Sequence, residues 1–256
     1  MQGLTGRVAV VTGSSSGIGQ GIARRLAEEG VNVVINFSGH REGAEDTLRL
    51  VESAGAKGMI VQADVSKLKD GQQLIEQGWS EFGFVDVLVN NAGLEKKADF
   101  TDVTEEDYDR VLDVNLKGAF FLTQAFVRKL RDAKKPGRVI NISSVHEDMA
   151  FPGFSPYCVS KGGLRMLMRN LAVELGPLGF TVNNIAPGAI ATPINQSLLE
   201  DKPKLNALLA NIPSGRLGTP QDVAGLVAFL ASDDASYVNG ATLLVDGGLS
   251  RNYREQ

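Results

Sequence analysis

The sequence has little cysteine and no long apolar stretch, and both absences limit what the chain can be. Cys158 is the one cysteine among 256 residues, so an internal disulfide is excluded and a cysteine-based zinc site is not expected. No apolar run reaches the ~18 residues that a membrane-spanning helix needs. Residues 1–4 lack the charged and apolar pattern of a signal peptide. We therefore expect a cytoplasmic protein with no metal site and no membrane partner.

An excess of charge of one sign is also missing. The chain has 26 Lys and Arg against 30 Asp and Glu, which gives a net charge of -4, and the two signs are mixed along the sequence. Proteins that bind nucleic acid usually carry a basic patch or stripe. The balance therefore predicts a small-molecule partner and no nucleic-acid partner.

Short apolar runs alternate with longer amphipathic patterns throughout the chain. The runs are residues 8–11, 31–35, 59–61, 85–89, 138–142, 181–185 and 242–245. They do not alternate polar with apolar residues, as is typical of parallel strands covered on both faces. The pattern predicts a single-domain α/β protein over residues 1–256: a doubly wound fold of the Rossmann type, with a seven-stranded parallel sheet and helices on both faces. An irregular stretch at 191–216 predicts a lid over the site.

A glycine-rich loop follows the first apolar run and opens a helix predicted over residues 17–29. Its glycines allow a tight turn and a close approach of the backbone to a pyrophosphate, and the helix N-terminus offers free N–H groups. The spacing Gly-x3-Gly-x-Gly differs from the common G-x-G-x-x-G, and tight packing of strand on helix is an alternative explanation. The candidate cofactor contacts in this loop are Gly13, Ser15, Ser16, Gly17, Ile18 and Gly19.

The end of the second apolar run bears on the choice between NAD and NADP. No carboxylate that could bind the ribose of NAD occurs before Glu42. Asn36 and Ser38 can hydrogen-bond a hydroxyl or a phosphate, and His40 and Arg41 could neutralise a 2′-phosphate. The sequence favours NADP with NAD tolerated, unless His40 and Arg41 are simply solvated loop residues.

Polar residues also follow the third and fourth runs. Asp64, next to Val65, could contact the adenine amino group or could cap the following helix. Asn91, Ala92 and Gly93 follow the fourth run, at the sheet edge where ligands bind in doubly wound folds. Capping of the strand end by asparagine is the alternative.

Tyr157 and Lys161 lie four residues apart in a helix predicted over residues 156–176, so they share one face. A phenol has a pKa near ~10, and lowering it by ~3 units needs about 4 kcal/mol. An ammonium at ~4 Å supplies about that amount at an effective dielectric of ~20. The pair therefore predicts a phenolic acid/base. Ser144, after the fifth run, could hold a carbonyl oxygen or be an ordinary turn residue.

Taken together, these motifs resemble the short-chain dehydrogenase/reductase family over essentially the whole chain. They occur in the order of that family: the loop from Gly13 to Gly19, Asn90 to Gly93, Asn115, Ser144, Tyr157, Lys161, Pro187 and Gly188. The resemblance implies that Tyr157 transfers the substrate proton, Ser144 binds the substrate oxygen and Lys161 binds the nicotinamide ribose. It also implies a water relay at Asn115, nicotinamide contacts at Pro187, Gly188, Ile190 and Thr192, and a homotetramer.

Within that family, three segments are similar to those of bacterial glucose 1-dehydrogenases. These segments contain Glu95, His146 and Asn195, which become candidate substrate contacts, although Glu95 and His146 could equally be ordinary loop residues. A polyol needs several hydrogen-bonding partners of this kind. We therefore expect oxidation of a sugar or polyol hydroxyl. The alternatives are reduction of a ketone or 3-oxoacyl thioester and, in another class, a non-catalytic dinucleotide-binding sensor.

Overall fold

The computed structural model describes residues 1–193 and 196–252, and every apolar run singled out above forms a strand in it. The strands are β1 (Val8–Val11), β2 (Asn32–Phe37), β3 (Gly58–Gln62), β4 (Val87–Asn90), β5 (Arg138–Ile142), β6 (Thr181–Pro187) and β7 (Thr242–Val245). They form one sheet in the order β3-β2-β1-β4-β5-β6-β7. Each neighbouring pair is parallel. The predicted seven-stranded parallel sheet is confirmed.

Helices connect the strands and cover both faces of the sheet. In the described residues they are α1 (Gly17–Glu28), α2 (Arg41–Ser53), α3 (Leu68–Phe82), α4 (Glu105–Leu112), α5 (Ala119–Asp132), α6 (Ser155–Leu175), α7 (Gln196–Glu200), α8 (Lys202–Leu209) and α9 (Pro220–Ala231). One core lies among β1, α1, α2 and α9, and the other lies among β1, α3, α5 and α6. The doubly wound fold is therefore confirmed.

Strand β1 shows why the apolar runs lack alternation. Ala9 and Val11 point into the first core, whereas Val8 and Val10 point into the second. All four side chains are buried. A strand covered on both faces can bury every residue, and the sequence of β1 accordingly contains no polar residue.

The order in which the strands are added to the sheet reverses beside β1, and this reversal creates a crevice. From β1 the order runs through β2 to β3 on one side and through β4 to β7 on the other. In such sheets the loops at the carboxyl ends of the strands part at that point and leave room for a ligand. No helix in the described part of the chain is both long and apolar enough to cross a membrane.

A chain of asparagine amides runs across the sheet near these carboxyl ends. The Asn90 amide donates to Asn141 at 2.9 Å, and the Asn141 amide donates to Asn184 at 2.9 Å. All three residues are buried. Each amide that loses its partner in such an interior costs free energy, so the chain ties β4, β5 and β6 together in one register.

The segment at 191–216, predicted to be irregular, contains α7 and α8. Helix α8 begins because the Asp201 carboxylate accepts a hydrogen bond from the backbone N–H of Lys204. Pro203 lies in the first turn, where a missing N–H removes no helical hydrogen bond. The two helices correct the prediction that this stretch is irregular, and its predicted part as a lid stays a prediction.

Candidate active site

A cavity of about 1210 Å³ lies in the crevice at the carboxyl ends of the strands. Every residue predicted to contact the cofactor lines it: Gly13, Ser15, Ser16, Gly17, Ile18, Gly19, Asn36, Ser38, Asp64, Val65, Asn91, Ala92, Gly93, Tyr157, Lys161, Pro187, Gly188, Ile190 and Thr192. Residues far apart in the sequence thus meet on one surface, which runs from β2 to the segment at 191–216.

The glycine-rich loop fits a dinucleotide through its backbone. Gly13 and Gly17 have φ values of 59° and 54°, which glycine adopts without the steric cost that a side chain would add. Helix α1 starts at Gly17, and no side-chain hydrogen bond caps its N-terminus. Its first N–H groups therefore point into the cavity as donors for phosphate. The buried Ser143 hydroxyl also lines the cavity and has no hydrogen-bond partner among the described residues.

Gly19 is the tightest position in this loop. A Cβ added there would lie 2.4 Å from the Gly13 carbonyl oxygen and 2.8 Å from the Ser14 Cα. Both neighbours are backbone atoms, so relief requires the loop itself to move. We expect Gly19→Ala to weaken NADP binding by about tenfold or more, which corresponds to ~1.4 kcal/mol. Titration of NADPH fluorescence measures the effect.

A glycine elsewhere provides the matched control for that variant. A Cβ on Gly71 of α3 would meet the Leu122 side chain at 3.6 Å, an ordinary contact. Gly71→Ala is expected to leave NADP affinity within about twofold and to favour the helix slightly. Equal affinities for wild type and Gly19→Ala would show that the loop does not approach the phosphates.

Asn36 supports the loop with its side chain, whereas the sequence suggested a contact to the cofactor. Its Oδ1 accepts a hydrogen bond from the Gly13 N–H at 3.2 Å, and its Nδ2 donates to the Ala63 carbonyl at 3.0 Å. The residue is 2% exposed. Both ends of the amide bond backbone groups, so the residue shapes the loop, and its predicted contact with the cofactor stays a prediction. Ser38, two residues on, is exposed at the rim.

His40 and Arg41 lie beyond the lining of the cavity. The Arg41 guanidinium forms an ion pair with Glu45 at 2.9 Å on the surface of α2. The His40 ring packs beside Gly43, where a Cβ would meet its Nδ1. Exposed ion pairs of this kind contribute little free energy, so Arg41 can still turn toward an anion.

Asp64 and Asn91 both line the cavity and both hold local backbone. The Asp64 carboxylate accepts hydrogen bonds from the Ser66 N–H and hydroxyl at 3.1 and 2.7 Å. Burial acts to raise the pKa of Asp64, but these hydrogen bonds and the Lys67 charge outweigh it and lower that pKa. The Asn91 amide donates to the Thr12 and Gly13 carbonyls at 2.8 and 3.1 Å.

Helix α6 brings Tyr157 and Lys161 to the inner end of the cavity. The Lys161 ammonium lies 5.5 Å from the centre of the Tyr157 ring, on the same side of the helix. Lys161 is 4% exposed, and its Nζ donates to the Ile142 carbonyl at the end of β5 at 2.9 Å. Ser144, two residues past β5, lines the same cavity, and its hydroxyl acts to lower the pKa of Tyr157.

Burial disfavours the charged form of both Tyr157 and Lys161. It raises the pKa of Tyr157 to about 12, while the hydrogen bond with Ser144 acts in the opposite direction. Burial also lowers the pKa of Lys161 to about 8, against the attraction of Glu147 and Glu95. The spacing predicts a lowered pKa for the phenol, but the cost of removing both groups from water outweighs the attraction of the ammonium for a phenolate. In the protein alone the phenol is therefore a proton donor.

Asn115 lies outside the lining of the cavity, in a π-helical turn, Asp113–Gly118, between α4 and α5. Its Oδ1 accepts from the Leu94 N–H, and its Nδ2 donates to the Leu94 carbonyl and to the Ser160 hydroxyl, at 2.9, 2.9 and 3.0 Å. The side chain thus joins the loop after β4 to α6. Its predicted part in a water relay stays a prediction.

The wall opposite the glycine-rich loop contains Glu95 and His146, and it holds an aromatic stack that the sequence did not indicate. The His146 ring lies parallel to Phe151 at 4.2 Å, and Phe151 lies parallel to Phe154 at 4.1 Å. Both phenylalanines are in a stretch without periodicity, so no pattern set them apart from core residues. Glu95 is exposed in the open cavity, yet the surrounding protein raises the pKa of its carboxyl. Asn195 lies outside the described residues.

Comparison with known proteins gives the family. The family model described as Enoyl-(Acyl carrier protein) reductase matches residues 13–250. The chain is 46% identical to 3beta-hydroxysteroid dehydrogenase 1 of Eggerthella lenta, over 96% of this chain and 95% of that protein. It is 42% identical to glucose 1-dehydrogenase 2 of Bacillus subtilis, over 96% of both chains.

Among solved structures, gluconate 5-dehydrogenase from Burkholderia cenocepacia, in complex with NADP and tartrate, has a TM-score of 0.91. It is 35% identical, and the match covers 97% of each chain. The chain belongs to the short-chain dehydrogenase/reductase family. It is an NAD(P)-dependent oxidoreductase, and the prediction of an enzyme is confirmed over that of a non-catalytic sensor.

Proposed function

We propose that this enzyme transfers a hydride between NADP or NAD and a hydroxyl-bearing carbon of a sugar or polyol. The observation that carries the proposal is the meeting of Ser144, Tyr157 and Lys161 at the inner end of a cleft with a phosphate-binding loop. The nicotinamide, when bound, supplies the hydride chemistry. Tyr157 takes the hydroxyl proton during oxidation and returns it during reduction, and the Ser144 hydroxyl holds the substrate oxygen.

The remaining residues of the cleft orient the cofactor. Lys161 binds the nicotinamide ribose, and its ammonium favours the phenolate of Tyr157 because a buried charge is poorly screened. Asn115 orders a water that carries the proton toward solvent. The glycine-rich loop holds the pyrophosphate, and residues from Pro187 to Thr192 face the nicotinamide amide. The segment at 191–216 covers the bound substrate.

Polar side chains around the substrate wall support a sugar. Glu95, Lys97 and Lys204 line the cavity together with Asn211 and Asn252, and together they offer donors and acceptors for several hydroxyl groups. A site built this way discriminates strongly against analogues that lack a hydroxyl. The names of the Bacillus subtilis relative and of the Burkholderia cenocepacia structure also fit a sugar substrate.

The aromatic stack supports a second candidate, an apolar ring alcohol such as a hydroxysteroid. Three parallel rings, His146, Phe151 and Phe154, offer a flat apolar surface beside Tyr157. Apolar ligands are bound chiefly through such surfaces. The Eggerthella lenta relative, at 46% identity, is named for a 3β-hydroxysteroid.

A substrate panel with two variants decides between these candidates. Glucose, gluconate and a 3β-hydroxysteroid are oxidised with each cofactor, and ketones and a 3-oxoacyl thioester are tested in the reverse direction. For a sugar, we expect Glu95→Gln to lower kcat/KM about tenfold or more through lost charged hydrogen bonds, with Glu106→Gln on α4 as the control. A steroid that is turned over faster than any sugar, with a loss in Phe151→Ala and none in Glu95→Gln, would overturn the sugar proposal.

We further propose a preference for NADP, set at Ser38. An aspartate there would bind the ribose hydroxyl of NAD and repel a 2′-phosphate. Ser38→Asp is expected to change the ratio of kcat/KM for NADP over NAD by about a hundredfold in favour of NAD. Ser80→Asp, exposed on α3, is the control. An unchanged ratio in Ser38→Asp would place the 2′-phosphate elsewhere.

We also propose that the enzyme is a homotetramer in the cytoplasm. Helix α6 supports the assembly because Val159, Met166 and Val173 are 52%, 61% and 77% exposed along it. Apolar side chains that share one exposed face favour contact with another protein surface.

A further inference from the structure

Glu147 is a buried carboxylate that the roles proposed above do not use. It lies in the single 3₁₀ turn, Val145–Glu147, directly after Ser144, and its side chain is 1% exposed. Its Oε2 accepts a hydrogen bond from the Asn184 amide at 3.1 Å, and its Oε1 accepts from the Thr242 hydroxyl at 2.8 Å. Removing a carboxylate from water costs free energy that two neutral donors offset only in part.

The asparagine chain across the sheet fixes where this carboxylate lies. Asn90 donates to Asn141, Asn141 donates to Asn184, and Asn184 donates to Glu147, each at 2.9 to 3.1 Å. No amide in this series can turn without losing a buried partner. The negative charge is therefore held by β4, β5 and β6 and not by a mobile loop.

Glu147 lies against the part of α6 that carries Lys161. Its Oε1 is 3.6 Å from the Arg165 Nε, and Arg165 is one helical turn after Lys161. A Cβ on Gly162, the next residue after Lys161, would lie 3.9 Å from the Glu147 carbonyl oxygen. Lys161 itself donates to the neutral Ile142 carbonyl, so that contact supplies no opposite charge.

Several charged or titratable groups face Lys161 from the elements around it. Tyr157, Glu147 and Glu95 act on Lys161 directly, His146 and Lys204 line the same cavity, and Arg165 and Asp148 are linked to it through Glu147. Asp148 is 62% exposed at its side chain and pairs with Arg165. Burial lowers the pKa of Lys161, and Glu147 and then Glu95 oppose that effect. Of the acids in this set, Glu147 is the buried one.

We propose that Glu147 is a positioning residue whose fixed charge keeps the Lys161 ammonium protonated at neutral pH. The proposal rests on the role of Lys161 given above, because a neutral lysine could not favour the phenolate of Tyr157. It gives the buried asparagine chain a functional consequence, since the sheet holds the charge at a constant distance from α6.

The proton on Lys161 can be followed directly by NMR. The full chain is labelled with [13Cε]lysine, and the Lys161 signal is assigned by its absence in Lys161→Met. The signal is then titrated with and without NADP. In Glu147→Gln, which keeps the shape and loses the charge, we expect the midpoint to fall by about one unit or more. The alkaline limb of the pH profile of kcat for oxidation should move in the same direction.

Two further variants separate charge from packing. Thr242→Val removes one hydrogen bond to Glu147 and keeps its charge, so the midpoint is expected to stay within about 0.3 unit. Arg165→Met removes a cation that competes for Glu147, so the midpoint is expected to rise. Combining the second variant with Glu147→Gln removes both charges and leaves no unpaired buried cation, so it tests the proposal even if Glu147→Gln alone does not fold. The midpoint in Arg165→Met/Glu147→Gln is expected to lie below that in Arg165→Met.

An unchanged midpoint in Glu147→Gln would overturn the inference, as would an equal shift in Thr242→Val or equal midpoints in Arg165→Met and Arg165→Met/Glu147→Gln. The proposed function fails by a different observation, namely no turnover of any alcohol or ketone by the wild type. The titration decides the role of Glu147 in either case, since it does not depend on turnover.

Discussion

Tyr157→Phe is expected to lower kcat for alcohol oxidation by about a thousandfold or more, because it removes the oxygen that, as the phenolate, accepts the substrate proton. Burial raises the pKa of Tyr157 to about 12 in the protein alone, so its phenolate is a far stronger base than the water that could replace it. Initial rates of NADPH formation at saturating alcohol and cofactor measure the loss.

Phenylalanine keeps the aromatic ring, so Tyr157→Phe tests the loss of the hydroxyl alone. The edge contact with His146 at 6.3 Å and the position of Lys161 over the ring at 5.5 Å do not involve the hydroxyl. NADPH affinity is therefore expected to stay within about threefold and Tm within about 2 °C. Tyr108→Phe, on the exposed side of α4, should keep full activity. A Tyr157→Phe enzyme with more than a tenth of the wild-type kcat would contradict the assigned role.

Lys161→Met is expected to abolish most activity and yet to raise stability. Burial lowers the pKa of Lys161 from 10.5 to about 8, so holding its proton in the folded protein is unfavourable at neutral pH. Each pKa unit corresponds to ~1.4 kcal/mol, and the gain from an apolar replacement is about 2–3 kcal/mol at pH 7. For a chain of this size that is a rise in Tm of about 5 °C or more.

The gain in stability has a defined pH dependence. Below about pH 8 the lysine is charged in both the folded and the unfolded chain, so the full difference between variant and wild type is present. Between about pH 8 and 10.5 the unfolded chain binds more protons at this site than the folded protein, and wild-type stability rises relative to the variant. The difference in Tm should therefore narrow over that range.

Thermal unfolding of both proteins from pH 7 to 10 checks this trend. Lys69→Met, at an exposed lysine of α3, is the control and should change Tm by less than about 1 °C at every pH. A Lys161→Met protein that is less stable than wild type at pH 7 would show that the ammonium stabilises the fold, contrary to this account.

The strands could be predicted from the sequence because their composition reflects burial on both faces. Val8 to Val11 and residues 59–61 contain no polar residue, and each of the other runs contains only one to three. Boundaries moved by a residue or two, as at β4, which begins at Val87 and not at Val85. The spacing of Tyr157 and Lys161 was equally informative, since four residues in a helix fix a shared face.

The features of the site that could not be predicted depend on how deeply a residue is buried and on which residues from other segments contact it. Asn36 could have faced a ligand or a backbone, and the neighbouring Gly13 and Ala63 that use its amide come from other segments of the chain. The pKa of Tyr157 depends on how far the residue is removed from water, which spacing does not show. The stacking of Phe151 on His146 arises from a loop conformation without periodicity.

The central claim is that the reactive end of the cofactor meets Tyr157 and Lys161 at the inner end of this cavity. A crystal structure of the enzyme with NADP tests it most directly. The account predicts the pyrophosphate at the loop from Gly13 to Gly19, the 2′-phosphate beside Ser38, and the nicotinamide ribose within hydrogen-bonding distance of Lys161 Nζ. A nicotinamide bound away from Tyr157, or a pyrophosphate that does not touch that loop, would contradict it.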